Sequence, residues 1–291
     1  MTYLPIRFDG VTKIYPGADS DFTACRDLSF GVAEGEIAAI VGETGCGKST
    51  AMQLLLGLQQ PTRGRVDVLG HDPFRNFDAL RGLVGIVFQT DRLLPWRTAS
   101  ENIQFGLQVL RVSATRRRRI AGEWLERLNL SAFADSYPHQ LSGGMRQRIA
   151  IARTFAIEPR VLLADEAFSA LDELTAVTVR ADLLRLVKEQ RTTTIFITHS
   201  VPEAVDVAER VLVFGRPGHV VKEVTVAAQG SRDDALTAVR DGLRLARDEA
   251  ARAKSTTGVP AAQQSDFAEQ DVADSSTERA CAVSRKMKGL S

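Results

Sequence analysis

The chain has 291 residues, enough to bury one large core or two small ones. Its 37 lysines and arginines nearly cancel its 36 aspartates and glutamates, so a net charge of +1 gives no global field to recruit nucleic acid or an anionic membrane. Sparse aromatics argue against a stacking platform for single strands, no apolar run approaches the roughly 20 residues of a membrane-spanning helix, and the first residues lack the layout of a signal peptide.

Residues 3 to about 40 read as short strands broken by turns at Tyr15-Pro16-Gly17 and Glu34-Gly35-Glu36. Ile37–Val41 is an apolar run. Met52–Leu56 behind it is a good helix former. Val66–Leu69 and Val84–Phe88 are two more strands. From about Ser100 to Ala156 the pattern turns helical, with Ile120, Trp124, Leu125, Leu128 and Leu130 at helical spacing. Val161–Ala164 is the continuous apolar run of a strand buried on both faces. Leu174–Glu189 reads as an amphipathic helix and Thr193–Ile197 as a β-branched strand. Val211–Phe214 and Val220–Val226 close the set. The alternation predicts an α/β fold, a parallel sheet core with a helical insertion. Ser231 to Lys254 reads as one more helix, with a capping box from Ser231 and Asp234 and with Leu236, Val239, Leu243 and Ala246 on one face. From Ser255 the composition shifts to Ser, Thr, Ala, Gln, Asp and Glu, which predicts a flexible tail over 255–291. Arg116 to Arg119 are a basic run, read as a solvated helix face, with an anionic lipid or nucleic-acid contact as the alternative.

The three cysteines, Cys25, Cys46 and Cys281, form neither a metal pair nor a disulfide framework. Together with the missing leader, they predict a soluble protein of a reducing compartment, whose membrane association comes only through a partner.

Gly42-Glu43-Thr44-Gly45-Cys46-Gly47-Lys48-Ser49-Thr50 fixes a ligand class. Strand, glycine-rich loop and helix make a phosphate cradle, in which backbone N–H groups and the helix start face a polyphosphate. Lys48 is placed to reach the β- and γ-phosphates, and the Ser49 hydroxyl to ligate Mg²⁺. Cys46, beside Lys48 and a helix start, is expected to have a lowered thiol pKa and to be open to alkylation. Leu162–Ala164 ends in two acids. Asp165 is placed to hold Mg²⁺ through water, and Glu166 to orient or polarise the attacking water. Leu141-Ser142-Gly143-Gly144-Met145-Arg146-Gln147-Arg148 offers a second anion site at a helix start, one more than a single triphosphate needs.

With these strings the chain resembles the ATP-binding subunits of ABC (ATP-binding cassette) transporters. The resemblance covers roughly residues 5 to 230 and implies a P-loop NTPase (RecA-like) core. An N-terminal antiparallel β subdomain and a helical signature subdomain over about 92–157 would complete an ATP-binding domain over 1–230. Ser142, Gly143 and Gly144 would then touch the γ-phosphate held by another subunit, so that two chains sandwich two ATP molecules head to tail. Tyr15 resembles the aromatic that stacks on adenine. Gln89 resembles the glutamine that senses Mg²⁺ and faces the membrane partner. Ser169–Asp172 resembles the loop linking the two active sites, and His199 the switch histidine that bonds the γ-phosphate. Leu93-Leu94-Pro95-Trp96 with Thr98, Glu101-Asn102-Ile103 and Phe105-Gly106-Leu107 is similar to the subgroup serving nitrate, sulfonate and taurine, although Trp96 also reads as a residue packed in the cleft below Gln89.

The family commonly has Pro where Ala167 stands and Asp where Ser200 stands. Ala167 frees φ and is expected to loosen the placement of Glu166. The implied function is an importer's ATPase subunit on the cytoplasmic face of the membrane. It would be a peripheral homodimer with an integral permease and, indirectly, an extracytoplasmic solute-binding protein, and without nucleic acid. A non-transport ATPase of the same fold and a nucleotide-dependent interaction module are the alternatives.

Overall fold

The computed structural model describes residues 3–17 and 20–257. Cys281 and nearly all of the expected tail, from residue 258 on, lie outside the described residues.

Two sheets form the frame. Strands β1 (Ile6–Tyr15), β2 (Phe22–Val32) and β4 (Arg63–Val68) pair antiparallel in the order β2-β1-β4. The second sheet has six strands: β3 (Ile37–Val41), β5 (Val84–Val87), β6 (Val161–Asp165), β7 (Thr193–Ile197), β8 (Arg210–Gly215) and β9 (His219–Thr225). Their order is β5-β6-β7-β3-β8-β9, and every pair is parallel except β8 with β9. That antiparallel edge departs from a purely parallel reading. The three residues between β8 and β9 are too few for a crossover, so the chain turns back as a hairpin.

β3 and β7 are buried at all five positions, as an apolar run between two covered faces requires. Successive side chains point to opposite faces, and the two cores divide that way. Ile37, Ala39 and Val41 meet the helical layer, whereas Ala38 and Ile40 meet α1 (Lys48–Leu55) and the antiparallel sheet. The helical layer comprises α2 (Ala99–Val109), α3 (Ala114–Arg127), α4 (Gly143–Phe155), α5 (Glu173–Gln190), α6 (Val201–Val207) and α7 (Arg232–Thr257).

α3 stops at Arg127, so Leu130 does not lie on the helix as its spacing suggested. Asn129 turns left-handed at φ +56, and Leu130 is buried beyond the turn. α5 is amphipathic only after its first turns, since Leu174 is 83% exposed. α7 runs three residues past its expected end. Ser231 caps it by accepting from Asp234 N–H at 3.1 Å, while the Ser231 hydroxyl donates to the Asp234 carboxylate at 2.7 Å. Ala235, Leu236, Val239 and Ala246 are buried on the face that packs on β8 and β9.

Candidate nucleotide site

β3 delivers the chain into a loop whose shape only glycine permits. Gly47 has φ +97, and a Cβ there would lie 2.7 Å from the Ala24 carbonyl oxygen. A Cβ on Gly42 would lie 2.5 Å from Cys46 Sγ and 3.0 Å from the Phe214 carbonyl oxygen. The loop is therefore pressed onto β2 and β8. Lys48 Nζ folds back to donate to the carbonyls of Gly42 at 2.7 Å and Glu43 at 3.0 Å. No side chain caps α1 and no acid lies in its first turn, which leaves its positive end open to an anion. Glu43, Thr44, Gly45 and Ser49 are exposed, and Thr50 is half-buried. α7 reaches this loop through an ion pair between Arg247 and Glu43, and Glu249 meets His219 Nε2 at 3.0 Å.

Cys46 corrects the expectation of a reactive thiol. Its side chain is buried, and burial pushes the thiol up more strongly than Lys48 and the backbone donors pull it down. Cys25, beneath Gly47, is pushed up to about 12, chiefly by burial. The Cys46 side chain belongs to the packing under the loop.

The acid pair sits where β6 ends. Burial, then the neighbouring charge of Glu166, holds the Asp165 carboxyl above the usual range. Arg92 and Lys48 oppose that shift. Glu166 has φ +46, a left-handed conformation that costs a non-glycine residue about 1 kcal/mol. Its N–H donates to the Ile197 carbonyl at 2.8 Å, and its own carbonyl accepts from Ser169 N–H at 3.1 Å and Ser169 Oγ at 3.0 Å. The Ala167 carbonyl accepts from Gln147 Nε2 at 2.7 Å. These bonds hold the backbone on both sides of Glu166 with alanine at position 167. Glu166 Oε1 lies 3.2 Å from His199 Nδ1, and the imidazole is exposed. Ser200 keeps the capping role an aspartate would have, since its Oγ accepts from Glu203 N–H at 3.3 Å at the start of α6.

Gln89 is exposed just past β5, and the loop after it is tied to α2 and α4 by side chains. Gln147 is 3% exposed and also donates to the Phe88 carbonyl at 3.1 Å, so one amide joins the ends of β5 and β6 to α4. Arg146 pairs with Asp91 at 2.9 Å, and Arg153 donates to the carbonyls of Asp91 and Arg92. Fully buried Asn102 accepts from Leu94 N–H and donates to the carbonyls of Leu94, Arg97 and Thr98. Trp96, at the tip, is 70% exposed and does not pack in the cleft below Gln89.

Ser142 is exposed and caps α4, accepting from Met145 N–H at 3.3 Å. Gly144 is buried, and a Cβ there would lie 2.5 Å from Thr175 Cγ2, so a larger residue would have to displace that side chain. Leu171 sits against Gly143, and Asp172 caps α5. Among the described residues, no hydrogen bond or ion pair joins Ser142, Gly143 or Gly144 to Gly42–Thr50. Tyr15 ends β1 with its hydroxyl 3.4 Å from Gln53 Oε1 on α1, and Lys13 Nζ lies 4.8 Å from its ring centre. Asn102, Arg146 and Gln147 lie inside strings read from the sequence, but neither their cross-links nor those of Arg153 were foreseen there. The Arg-Gln-Arg string after the glycine pair was a signal for two of them.

Comparison with known proteins identifies the family. Residues 25–169 match the ABC transporter family. A putative ATP-binding protein of Brucella abortus is 42% identical over 232 residues, covering 79% of this chain and 86% of that protein. An aliphatic sulfonates import ATP-binding protein of Pseudomonas savastanoi pv. phaseolicola is 41% identical over 212 residues, covering 72% and 83%. A dimeric ATP-binding cassette solved in a post-hydrolysis state with ADP and Pi has a TM-score of 0.67 at 32% identity, covering 76% of this chain and 98% of that one. No helix among the described residues is long and apolar enough to cross a membrane. The chain belongs to the ABC transporter family, as an ATP-hydrolysing ATP-binding subunit of the importer type.

Proposed function

We propose that this subunit drives uptake of a small anion such as nitrate, sulfonate or taurine through a separate permease, as one of two identical chains that close on two ATP molecules. The observation that carries the reading is the separation within one chain. Lys48 of the loop Gly42–Thr50 lies close enough to Asp165 to act on its charge, and Glu166 meets His199, while Ser142–Gly144 begin a different helix with no polar link to that loop. A second copy brings its own Ser142, Gly143 and Gly144 to the phosphates held at Lys48 and Ser49.

In this reading the loop N–H groups and Lys48 hold the phosphates, and Tyr15 stacks on the adenine. Glu166 orients the attacking water and accepts its proton, and His199 bonds the γ-phosphate. Most of the catalysis is then positioning and electrostatic stabilisation of an in-line attack. Asp165, a desolvated carboxylate, has the hard oxygen chemistry that suits Mg²⁺. Among the described residues, no group of three or more His, Cys, Asp or Glu could hold a metal, so the Ser49 hydroxyl, the Gln89 amide and phosphate oxygens would complete the set. When bound there, Mg²⁺ draws charge from the β- and γ-phosphate oxygens.

The permease is expected where apolar surface is left uncovered on either side of β5. Trp96 stands on the loop after it. Before it, 50%-exposed Phe77 with Leu80, Leu56 and Val84 lines a groove of about 160 Å³. The subunit would then lie on the cytoplasmic face of the membrane, held there by the permease. Gentle-detergent purification of the tagged chain from its native membranes tests this. A multi-helix permease among the companions supports the reading, and a soluble or nucleic-acid partner alone overturns it.

A further inference from the structure

The basic run on α3 has no role in the nucleotide site, and its setting is unusual. Arg116 to Arg119 occupy the first half of the helix, where the dipole already concentrates positive charge, and no acid lies in the first turn. Glu123 and Glu126 lie in the second half. Arg119 pairs with Glu123 at 2.6 Å, and Arg117 turns inward to donate to the Val112 carbonyl at 2.7 Å. Among the described residues, Arg116, Arg118 and Arg111 of the preceding turn are exposed, and their guanidinium groups have no hydrogen-bond or ion-pair partner. Nothing in the fold repays this charge order.

The direction of these charges narrows the partner. Successive helical residues are about 100° apart, so Arg116, Arg118 and Arg119 fan out across the solvent side and do not converge on a point ligand. A diffuse anionic surface suits that fan better than a pocket-sized anion or a single acidic side chain. The neighbourhood points the same way. Leu110, at the end of α2, packs on Gly82 and so adjoins the apolar groove beside Leu80. Phe105 and Val109 on α2 are partly bare, with the Arg97 guanidinium 5.2 Å from the Phe105 ring centre. Arg97 beside partly exposed Phe105, with Arg111 one residue past Leu110, has the composition of a membrane-surface contact.

We propose that Arg111, Arg116 and Arg118 rest on anionic phospholipid headgroups beside the permease, giving the subunit a second, direct hold on the membrane. This rests on the import reading, which puts the chain at a membrane. It adds a lipid contact to the protein contact.

The test is co-sedimentation of the full chain with permease-free vesicles of phosphatidylcholine alone or of three parts phosphatidylcholine to one part phosphatidylglycerol. Binding is expected on the anionic vesicles only, and it should fade in high salt. Replacing Arg111, Arg116 and Arg118 together by Gln should lower partitioning on the order of a hundred-fold, from a roughly five-fold effect per charge. The corresponding Lys variant should retain binding, and ATP hydrolysis in solution should be unchanged in both. Equal partitioning of wild type and the Gln variant, or no binding to anionic vesicles, overturns the proposal. So does a Gln variant that keeps vesicle binding but loses the permease in detergent, because the arginines would then belong to a protein interface. Because the vesicles hold no permease, their failure leaves the import reading to its own co-purification test.

Discussion

The phosphate loop and the helical segment that carries Ser142–Gly144 are held in opposite ways. The loop is set by backbone. Gly42 and Gly47 press against neighbouring main chain, and buried β3 fixes its entry. The helical segment packs its own apolar core but meets the acid pair and the loop after Gln89 through side-chain amides and guanidinium groups, chiefly Gln147, Arg146 and Arg153. A backbone-set loop keeps its shape whether or not a ligand is bound. A contact made of a few polar side chains can shift with a small change at the phosphate, which is how a chemical site could steer a helix that faces a partner. On this view one region recognises the nucleotide and the other reports it.

The largest expected effect lies on the loop. Lys48→Ala removes the ammonium from the phosphates, and ATP affinity should fall on the order of a hundred-fold, read by fluorescent-nucleotide titration. An unchanged affinity would break the assignment of the loop as the recognising region. Next comes the joint. Gln147→Leu leaves the Phe88 and Ala167 carbonyls without their donor and should cost about 3 kcal/mol in a denaturant melt, with nucleotide affinity far less affected. Equal damage to both quantities would show that the two regions are not separable.

Asp165 should show a trade between stability and function. A carboxyl held above its ordinary value favours the protonated fold. Its stabilising contribution is complete below the unfolded value of about 3.9 and is lost as pH rises through the folded value. Asp165→Asn should therefore raise Tm near neutral pH in the absence of nucleotide, and the gap should close below about pH 4, while ATP hydrolysis is lost. A lower Tm for the variant at neutral pH would contradict the stated burial cost. The smallest effect is expected at Cys46. The native thiol should resist alkylation until the protein is unfolded, and Cys46→Ala should leave ATP affinity unchanged. Rapid labelling of the folded chain at Cys46, mapped by peptide mass so that Cys281 is not counted, would restore the reactive-thiol expectation.

Much of the fold was readable because its signals are local. Ile37–Val41, Val161–Ala164 and Thr193–Ile197 are short runs with no polar face, and a strand buried on both faces is the simplest structure that accommodates them. The glycine loop was readable for the same reason, since strand, turn and helix are contiguous in sequence. What escaped notice depends on distant neighbours. The Gln147 amide bonds a carbonyl 59 residues away and another 20 residues away, and its own sequence environment says nothing of either. Cys46 misled because Lys48 and a helix start are visible in the string, whereas the Phe214 backbone pressing on the loop is not. Leu174–Glu189 was read as an amphipathic helix, yet Leu174 and Val177 in its first turns are exposed, just after Asp172. An apolar pair left bare there suits a second chain.

The measurement that bears most directly on the central claim is the mass in solution of the Glu166→Gln chain with and without ATP, by light scattering after size exclusion. On the proposed assignment, the variant spares the residues that would hold the phosphates but removes the carboxylate that would accept the water's proton. It should therefore bind ATP without turnover and accumulate as a nucleotide-dependent dimer, returning to monomer when ATP is withdrawn. A variant that stays monomeric with ATP demonstrably bound, or that hydrolyses ATP at the wild-type rate, would contradict the account.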